Sequence, residues 1–454
     1  MVNASIKYGM APDLKLADVT MIPKKGIKTS NPDDYRPISL TSNLGKLIER
    51  IAKKRIYKFL ENSNLISKYQ SGFRNNRSAT DNLMFFTQKI SECFAKKKKT
   101  CCLFFDISKA FDKVWHNGLI YKMIKIGIPF YLINFVRNFL NNRKFRVKIM
   151  NSKSEYVEME CGVPQGSVLG PLLFLIFIND IPTVNNKHSD YTGLFADDLG
   201  TLFTFRSTFN MEKRINEYLN KLNAWLIKWR LVMNTSKCCY TIFSKGGNRI
   251  EKSTKKKKIE FKLYLNNDQI PYNPNPMFLG ILFDESLCFS SHFVNLRSRA
   301  LRRLNILKIF SHKSWKLGYV SLKNIYVSLI GSIFDYSFFT YSCVSQTSLN
   351  SVQRIQNRAI RAIYSLPWDS PTNELYGLSG IISIGERFLQ LGVRFAHRNW
   401  LINPLISELI CEYVASRSSI NRSNFLITPL CYLLPILALS FAVMVFIHLV
   451  TLIC

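Results

Sequence analysis

The sequence has few acidic residues for its length. Only 30 Asp and Glu stand against 62 Lys and Arg among 454 residues, which leaves a formal charge of +32 and a pI near 9.8. An imbalance of this size disfavours a protein that is merely soluble and basic. It indicates a polyanionic partner, either a nucleic acid or an anionic membrane surface, and we expect a nucleic acid.

Metal-binding cysteine patterns are also missing. The 11 cysteines include the adjacent pairs Cys101-Cys102 and Cys238-Cys239, but no CxxC and no Cys/His cluster with zinc spacing. This excludes a zinc knuckle and predicts buried, reduced thiols. The first residues, MVNASIKYGMAPDLK, lack the apolar core of a secretory signal, so we expect an intracellular protein of the cytoplasm or nucleus.

The apolar pattern changes repeatedly along the first 290 residues. SNLGKLIERIAKKRIYKFL predicts a helix with a basic face, and the run Cys101 to Phe105 predicts a buried strand that ends at Asp106. PLLFLIFIND predicts a fully buried helix or strand. The next segment predicts an amphipathic helix with one apolar face, formed by Ile215, Leu219, Leu222, Leu226 and Trp229. This order favours helices that cover one face of an antiparallel sheet.

The pattern becomes helical after about residue 290. In LNSVQRIQNRAIRAIYSL, one face is apolar, through Val352, Ile355, Ala359 and Ile363. Another face carries Arg354, Arg358 and Arg361. We expect this helix to pack on a core and to present guanidinium groups to a phosphate backbone.

Two segments have open interpretations. The basic stretch Lys245 to Lys258 fits either a solvated linker or a phosphate contact. Residues 425–454 are almost uncharged and long enough to cross a hydrocarbon core of about 30 Å. They fit either a single-pass membrane anchor, with Arg417 and Arg422 on the cytosolic side, or read-through sequence that was never selected as protein.

Adjacent carboxylates occur in GLFADDLGTLF, between two apolar segments. Asp197 and Asp198 fit a β-turn without function, because Asp favours turns. They also fit a magnesium site, since carboxylates are hard ligands and a cation relieves their mutual repulsion. Asp106, at the end of the buried strand, is the expected third ligand. Two such ions would clamp the attacking and leaving oxygens of a phosphoryl transfer.

Eight motifs in order over residues 10 to 290 carry a resemblance to a known family. They are ADVTMIPKKG, DDYRPISLTSNLGKLIER, YQSGFRNNRSATDNL, FFDISKAFDKVWHNGL, GVPQGSVLGPLLFLIFIND, LFADDLG, NTSKCC and FLGILFD. Together they resemble the reverse transcriptase of non-LTR, jockey-like retrotransposons. The resemblance implies an α+β right-hand polymerase fold, with fingers over 1–100, a palm over 101–290, a helical thumb over 291–400, a linker over 401–424 and the tail over 425–454.

The resemblance also implies roles for individual residues. Asp106 and Asp197 would be the metal-binding catalytic carboxylates, with Asp198 beside them, and Lys237 the general acid to the leaving pyrophosphate or a solvated lysine. Phe111 would exclude a 2′-hydroxyl or belong to the core, and Asp112 would be structural. The remaining implied contacts are Lys24, Arg36, Gln165 and Gly166 (with Gly162 nearby) for the nucleotide, Phe278, Leu279 and Gly280 for the primer, and Arg74, Arg354, Arg358 and Arg361 for nucleic acid.

The implied activity is RNA-directed DNA synthesis with two Mg²⁺ ions, for which Mn²⁺ could substitute. The implied partners are an RNA template, a DNA primer and deoxynucleotides. Neither an endonuclease nor an RNase H pattern is recognisable, so target nicking would come from another protein or from a lost segment. The alternatives are an inactive relic that only binds nucleic acid and a membrane-tethered derivative.

Overall fold

The protein is described by a computed structural model. It describes residues 5, 8–24, 29–184, 190–245 and 259–419, with side chains up to residue 412. The longer strands are β1 (Leu16–Pro23), β2 (Tyr35–Thr41), β3 (Lys99–Asp106), β4 (Lys144–Ile149), β7 (Tyr191–Phe195), β8 (Asp198–Phe205) and β9 (Cys239–Phe243). Two-residue strands are β5 (Ser152–Lys153), β6 (Val157–Glu158), β10 (Tyr264–Leu265), β11 (Asp268–Gln269), β12 (Met277–Phe278) and β13 (Ile281–Leu282).

Helices separate and follow these strands. They are α1 (Asn43–Asn62), α2 (Ala79–Ala95), α3 (His116–Lys125), α4 (Phe130–Leu140), α5 (Gly170–Ile178), α6 (Met211–Lys228), α7 (Ser290–Phe310), α8 (Tyr319–Tyr326), α9 (Ser332–Asp335), α10 (Gln346–Tyr364), α11 (Thr372–Ser379), α12 (Ile384–Ile402) and α13 (Pro404–Ser419). The mixture of helices with largely antiparallel sheets confirms the α+β class.

The first sheet combines strands from the predicted fingers and from the predicted palm. Its strand order is β2-β1-β4-β5, and β6 pairs with β4. β1 and β2 are antiparallel, with Ala17 opposite Thr41, whereas β1 and β4 are parallel, with Leu16 opposite Lys144. The sheet therefore joins the start of the chain to the segment that follows α4.

The second sheet, of order β7-β8-β3-β9, is antiparallel throughout. Its central strand β3 is buried on both faces. Cys101, Leu103 and Phe105 belong to a core with α3 to α6, whereas Cys102 and Phe104 belong to a second core with α2 and the C-terminal helices. The prediction of helices on one face only was therefore wrong, because the unbroken apolar run CCLFF supplies buried side chains to both faces.

Three predicted buried segments are confirmed as helices. PLLFLIFIND forms the buried helix α5, and the predicted apolar faces of α6 and α10 are buried. The predicted helix SNLGKLIERIAKKRIYKFL forms α1, but its buried face is not purely apolar. Leu44 and Leu47 are exposed, whereas the charged residue Glu49 is buried. Of the paired cysteines, Cys101, Cys102 and Cys238 are buried, and burial raises their thiol pKa values.

The helices after residue 290 include one that packs against α2, in the first hundred residues of the chain. Leu405 and Leu409 of α13 are buried in the core that contains Leu83 of α2. Asn403 Nδ2 donates to Asp81 Oδ2 at 3.0 Å, which ties the start of α13 to α2. Within the linker predicted over 401–424, Pro404–Ser419 therefore form a helix, and its described apolar residues recur at helical spacing and pack against a partner surface.

The two segments with open interpretations fall largely or wholly outside the described part of the chain. Residues 246–258 of the basic stretch and the hydrophobic tail 425–454 lie outside the described residues. Within the described ranges, no helix is long and apolar enough to cross a membrane.

Candidate active site

Two strand ends bring the three predicted carboxylates together. β7 and β8 form a tight hairpin in which Phe195 lies opposite Asp198, and Ala196 and Asp197 make the turn. β3 runs beside β8 with Asp106 directly opposite Asp198. Directly opposed residues of antiparallel strands have Cβ atoms about 4.5 to 5.5 Å apart. The pairing of β3 with β8 and the turn between β7 and β8 therefore place the three carboxylates close together.

Burial and mutual repulsion perturb this acidic cluster. Burial, and then the charge of Asp106, raise the pKa of Asp197. Burial, and then the charges of Asp197 and Asp106, raise the pKa of Asp198 to about 6. A bound cation would reverse this repulsion, because it favours the ionised carboxylates.

Lys237 supplies one positive charge at the cluster. Its Nζ lies 2.9 Å from Asp106 Oδ2, and its side chain is otherwise largely exposed. The backbone N–H of Asn234 donates to the carbonyl oxygen of Asp106 at 2.8 Å, which fixes the turn that carries Lys237 against the end of β3. A proton donor therefore lies beside the carboxylates.

The carboxylates fit a magnesium ion whose coordination is completed by substrate. Among the described residues, no three His, Cys, Asp or Glu side chains converge on one ion position. Mg²⁺ in phosphoryl-transfer sites is held by one or two carboxylates together with substrate phosphates. Asp106, Asp197 and Asp198 have the required oxygen ligands, and burial together with mutual repulsion raises the pKa values of Asp197 and Asp198, which a bound cation would offset.

Gln70 supports the hairpin, and sequence reasoning gave it no role. It is 2% exposed, and its Oε1 accepts from the N–H groups of Ala196 at 3.0 Å and Gly72 at 2.7 Å. Asn82 Nδ2 donates to the carbonyl oxygen of Leu194 at 2.8 Å. A Cβ at Gly72 would lie 2.2 Å from the Ala196 nitrogen. YQSGFR therefore holds the turn that carries Asp197, a long-range contact that no local pattern reveals.

The surroundings of Phe111 agree in part with each of its two predicted roles, a core residue and a residue that excludes a 2′-hydroxyl. Its ring stacks on Phe174 with centroids 4.7 Å apart and meets Phe73 edge to face at 5.9 Å. The side chain is only partly buried. The ring is thus held by contacts with Phe174 and Phe73. Its exclusion of a sugar 2′-hydroxyl stays a prediction.

The loop around Gln165 packs closely on backbone, as its glycines predict. Gly166 has φ +118°, and a Cβ there would lie 2.6 Å from the Ser39 carbonyl oxygen in β2. Gly162 has φ +87°, and a Cβ there would lie 2.7 Å from the Asp112 carbonyl oxygen. Gln165 Nε2 donates to Asp112 Oδ1 at 2.8 Å. Asp112 therefore orients Gln165 in this structure.

Lys24 and Arg36 flank the turn between β1 and β2. Lys24 Nζ donates to the Asp33 carbonyl oxygen at 2.5 Å, and Arg36 is exposed opposite Ile22. The charge of Arg36 lowers the pKa of Asp197, although burial outweighs it. Arg36 therefore acts electrostatically on the carboxylate cluster from the neighbouring sheet.

The predicted primer contact is the two-residue turn of a separate hairpin, β12–β13, that packs against β3 of the second sheet. Leu279 and Gly280 connect β12 to β13 with φ values of +48° and +79°, as a type I′ turn requires. The Phe278 ring packs on Phe104 with centroids 5.0 Å apart. Tyr336 Oη donates to the Leu279 carbonyl oxygen at 2.8 Å. These contacts fix the turn against β3 and the following helices.

The four predicted nucleic-acid arginines differ in their surroundings. Arg354 and Arg358 are exposed on α10. Arg361 Nη2 donates to the Ser370 carbonyl oxygen at 2.8 Å, and Arg74 binds both carboxylate oxygens of Glu61, at 3.0 and 2.7 Å. The Arg74 side chain is 9% exposed and has Glu61 as an internal partner, and its contact with nucleic acid stays a prediction.

Comparison with known proteins agrees with the motif order. The chain is 31% identical over 406 residues to the probable RNA-directed DNA polymerase from transposon BS of Drosophila melanogaster, covering 87% of this chain and 43% of that protein. It is 29% identical over 406 residues to the RNA-directed DNA polymerase from mobile element jockey of Drosophila funebris, with the same coverage. The chain thus spans less than half the length of these relatives.

A solved structure of apo telomerase from Candida tropicalis aligns with 90% of this chain and 67% of its own, at 12% identity and a TM-score of 0.44. The sequence profile described as reverse transcriptase (RNA-dependent DNA polymerase) matches residues 22–281, which is more than half of the 454 residues. The chain therefore belongs to the reverse transcriptase family.

Proposed function

We propose that this chain is an RNA-directed DNA polymerase of a mobile element. The observation that carries the proposal is the meeting of Asp106, Asp197 and Asp198 at one end of the β3–β8 pair, with Lys237 bound to Asp106. The transposon polymerases that match 87% of the chain support it. An RNA template, a DNA primer and deoxynucleotides are the proposed substrates.

In the proposed reaction, the primer 3′-hydroxyl attacks the α-phosphorus of a deoxynucleotide paired with the template. The bond from that phosphorus to the bridging oxygen breaks, and pyrophosphate leaves. Asp106, Asp197 and Asp198 would hold two Mg²⁺ ions. Once bound, these would supply charge stabilisation to the attacking and leaving oxygens.

The chain's own residues position the reactants and move a proton. Lys237 Nζ, beside Asp106, would donate a proton to the leaving pyrophosphate. Arg36, exposed on the fingers sheet and electrostatically linked to Asp197, would bind the triphosphate with Lys24. Phe111 and Gln165 would line the nucleotide site, while Phe278, Leu279 and Gly280 would support the primer end.

Primer extension tests the proposal. The full chain should incorporate dTTP on a poly(rA)/oligo(dT) duplex in Mg²⁺, and Asp197→Ala should abolish incorporation while retaining salt-sensitive template binding. Asp268→Asn is the matched control, because Asp268 is an exposed acid on β11. Absence of incorporation by the unaltered chain, with template binding intact, would refute the proposal in favour of a nucleic-acid-binding relic.

A further inference from the structure

The far end of the helical region exposes aromatic rings among lysines. Residues 312–320, which span most of the connection from α7 to α8 and the first two residues of α8, are nine consecutive exposed residues. They include Trp315 and Tyr319, at 53% and 60% exposure, together with Lys313 and Lys316. Apolar side chains are usually buried within an ordered segment, so an exposed set of this kind indicates a binding surface.

The segment is ordered by its own hydrogen bonds. The N–H of Ser314 donates to His312 Nδ1 at 3.3 Å, and the N–H of Trp315 donates to the His312 carbonyl oxygen at 3.0 Å. The Trp315 ring meets Phe310 edge to face, with centroids 5.2 Å apart. Trp315 is thus supported from within the protein while most of its surface faces solvent.

A second exposed tryptophan follows α10, beside the same segment. Tyr319 stacks on Tyr364, the last residue of α10, with centroids 5.7 Å apart and an interplanar angle of 27°. Four residues later, Trp368 is 87% exposed. Arg361 Nη2 binds the Ser370 carbonyl oxygen, which fastens the loop that carries Trp368 to α10. We call Trp315, Tyr319, Tyr364 and Trp368, with Lys313 and Lys316, the aromatic-basic surface.

The charge around this surface is strongly positive. Residues 302–369 contain nine Lys and Arg and only two acidic residues, Asp335 and Asp369. Asp335 is bound by the guanidinium of Arg387 at 2.7 Å. An anionic occupant is therefore favoured, and flat rings interleaved with cations match the stacked bases and phosphates of a single strand.

The surface lies away from the carboxylates. α7 begins beside β13, where the N–H of Leu282 lies 3.5 Å from His292 Nδ1, and extends for 21 residues. At about 1.5 Å per residue, the end of α7 nearest this surface is about 30 Å from the end that contacts β13. This distance corresponds to about nine base pairs of duplex at about 3.4 Å each.

We propose that the aromatic-basic surface binds single-stranded nucleic acid, with bases stacked on the rings and phosphates on Lys313 and Lys316. This site is separate from the polymerase site and does not require catalysis. Base-on-ring stacking tolerates any base, so the proposed binding is independent of sequence.

The test measures the affinity of the full chain for a fluorescein-labelled single-stranded oligouridine by fluorescence anisotropy. Trp315→Ala with Trp368→Ala should raise Kd at least tenfold, and the corresponding Phe pair should stay within threefold, because Phe keeps a stacking face. Phe130→Ala is the control, since Phe130 is an exposed aromatic on α4. Lys313→Gln with Lys316→Gln should lower the slope of log Kd against log salt by about 1.4.

Several results would overturn the proposal. One is an unchanged Kd in the alanine pair, and another is an equal loss in the phenylalanine pair. A third is unchanged RNA affinity with loss of binding to anionic vesicles or of self-association, which would assign the rings to a membrane or to a second protein. Asp197→Ala should leave this affinity unchanged, so failure here and failure of the polymerase proposal are distinguishable.

Discussion

Gly72 offers a direct probe of how the hairpin is held. Substitution by Ala places a Cβ 2.2 Å from the Ala196 nitrogen and 2.9 Å from the Phe195 carbonyl carbon. These are backbone atoms, so no side-chain rotation relieves the clash. Reaching even 3.0 Å requires the strap at Gly72 and the turn to separate by roughly 1 Å, and the turn carries Asp197.

A displacement of about 1 Å at a reacting group can lower a rate about 100-fold. We therefore expect Gly72→Ala to reduce single-turnover incorporation of one deoxynucleotide by about 100-fold, with less than a threefold change in primer–template affinity. Rapid-quench measurement of the first addition separates chemistry from binding. Circular dichroism at the assay temperature confirms that the variant is folded.

Gly377→Ala is the matched control. It is also a glycine-to-alanine change, but nothing lies within 4 Å of the added Cβ and the backbone is helical there. It should leave incorporation unchanged. A Gly72→Ala variant with the wild-type rate would refute the inference that this strap positions the catalytic turn.

Three further predictions concern catalysis and stability. Lys237→Ala and Lys237→Arg should each lower single-turnover incorporation about 100-fold, because Arg keeps the positive charge at Asp106 but does not give up a proton; a wild-type rate for Lys237→Arg in rapid quench would contradict a proton-donor role. Glu49 is buried, accepts two backbone N–H bonds just before α5, and interacts with the positive charge of Arg143. Glu49→Ala should therefore lower the free energy of unfolding by about 3 kcal/mol in urea titration. A loss below about 1 kcal/mol would contradict that role. Burial lowers the pKa of His292 from 6.5 to about 4. The contribution of His292 to the free energy of unfolding should therefore be constant above pH 6.5 and fall by about 3 kcal/mol as the pH drops to 4. His292→Gln should flatten this pH dependence in thermal melts across that range.

The positions of the three carboxylates were predictable because each lies in a short sequence pattern. A buried strand that ends in Asp106 and an Asp-Asp turn between apolar strands each follow from short patterns, and the family motifs placed them in one sheet. The right-hand polymerase fold of the family and its α+β architecture were likewise expected from the motif order.

Other features depend on partners distant in sequence. Gln70 binds Ala196 across 126 residues, and Arg74 has Glu61 as an internal partner. The packing of α13 on α2 joins segments more than 300 residues apart, so the spacing of its apolar residues did not reveal which surface they would cover. Pairings of this kind arise from the assembled fold and leave no local pattern.

The most direct measurement of the central claim is single-nucleotide addition on a heteropolymeric RNA template. A labelled DNA primer is annealed so that the next template base is known, and each deoxynucleotide is supplied alone with Mg²⁺. We expect only the complementary nucleotide to be added, and no addition by Asp197→Ala. Addition that ignores the template base, or that persists in Asp197→Ala, would contradict the account.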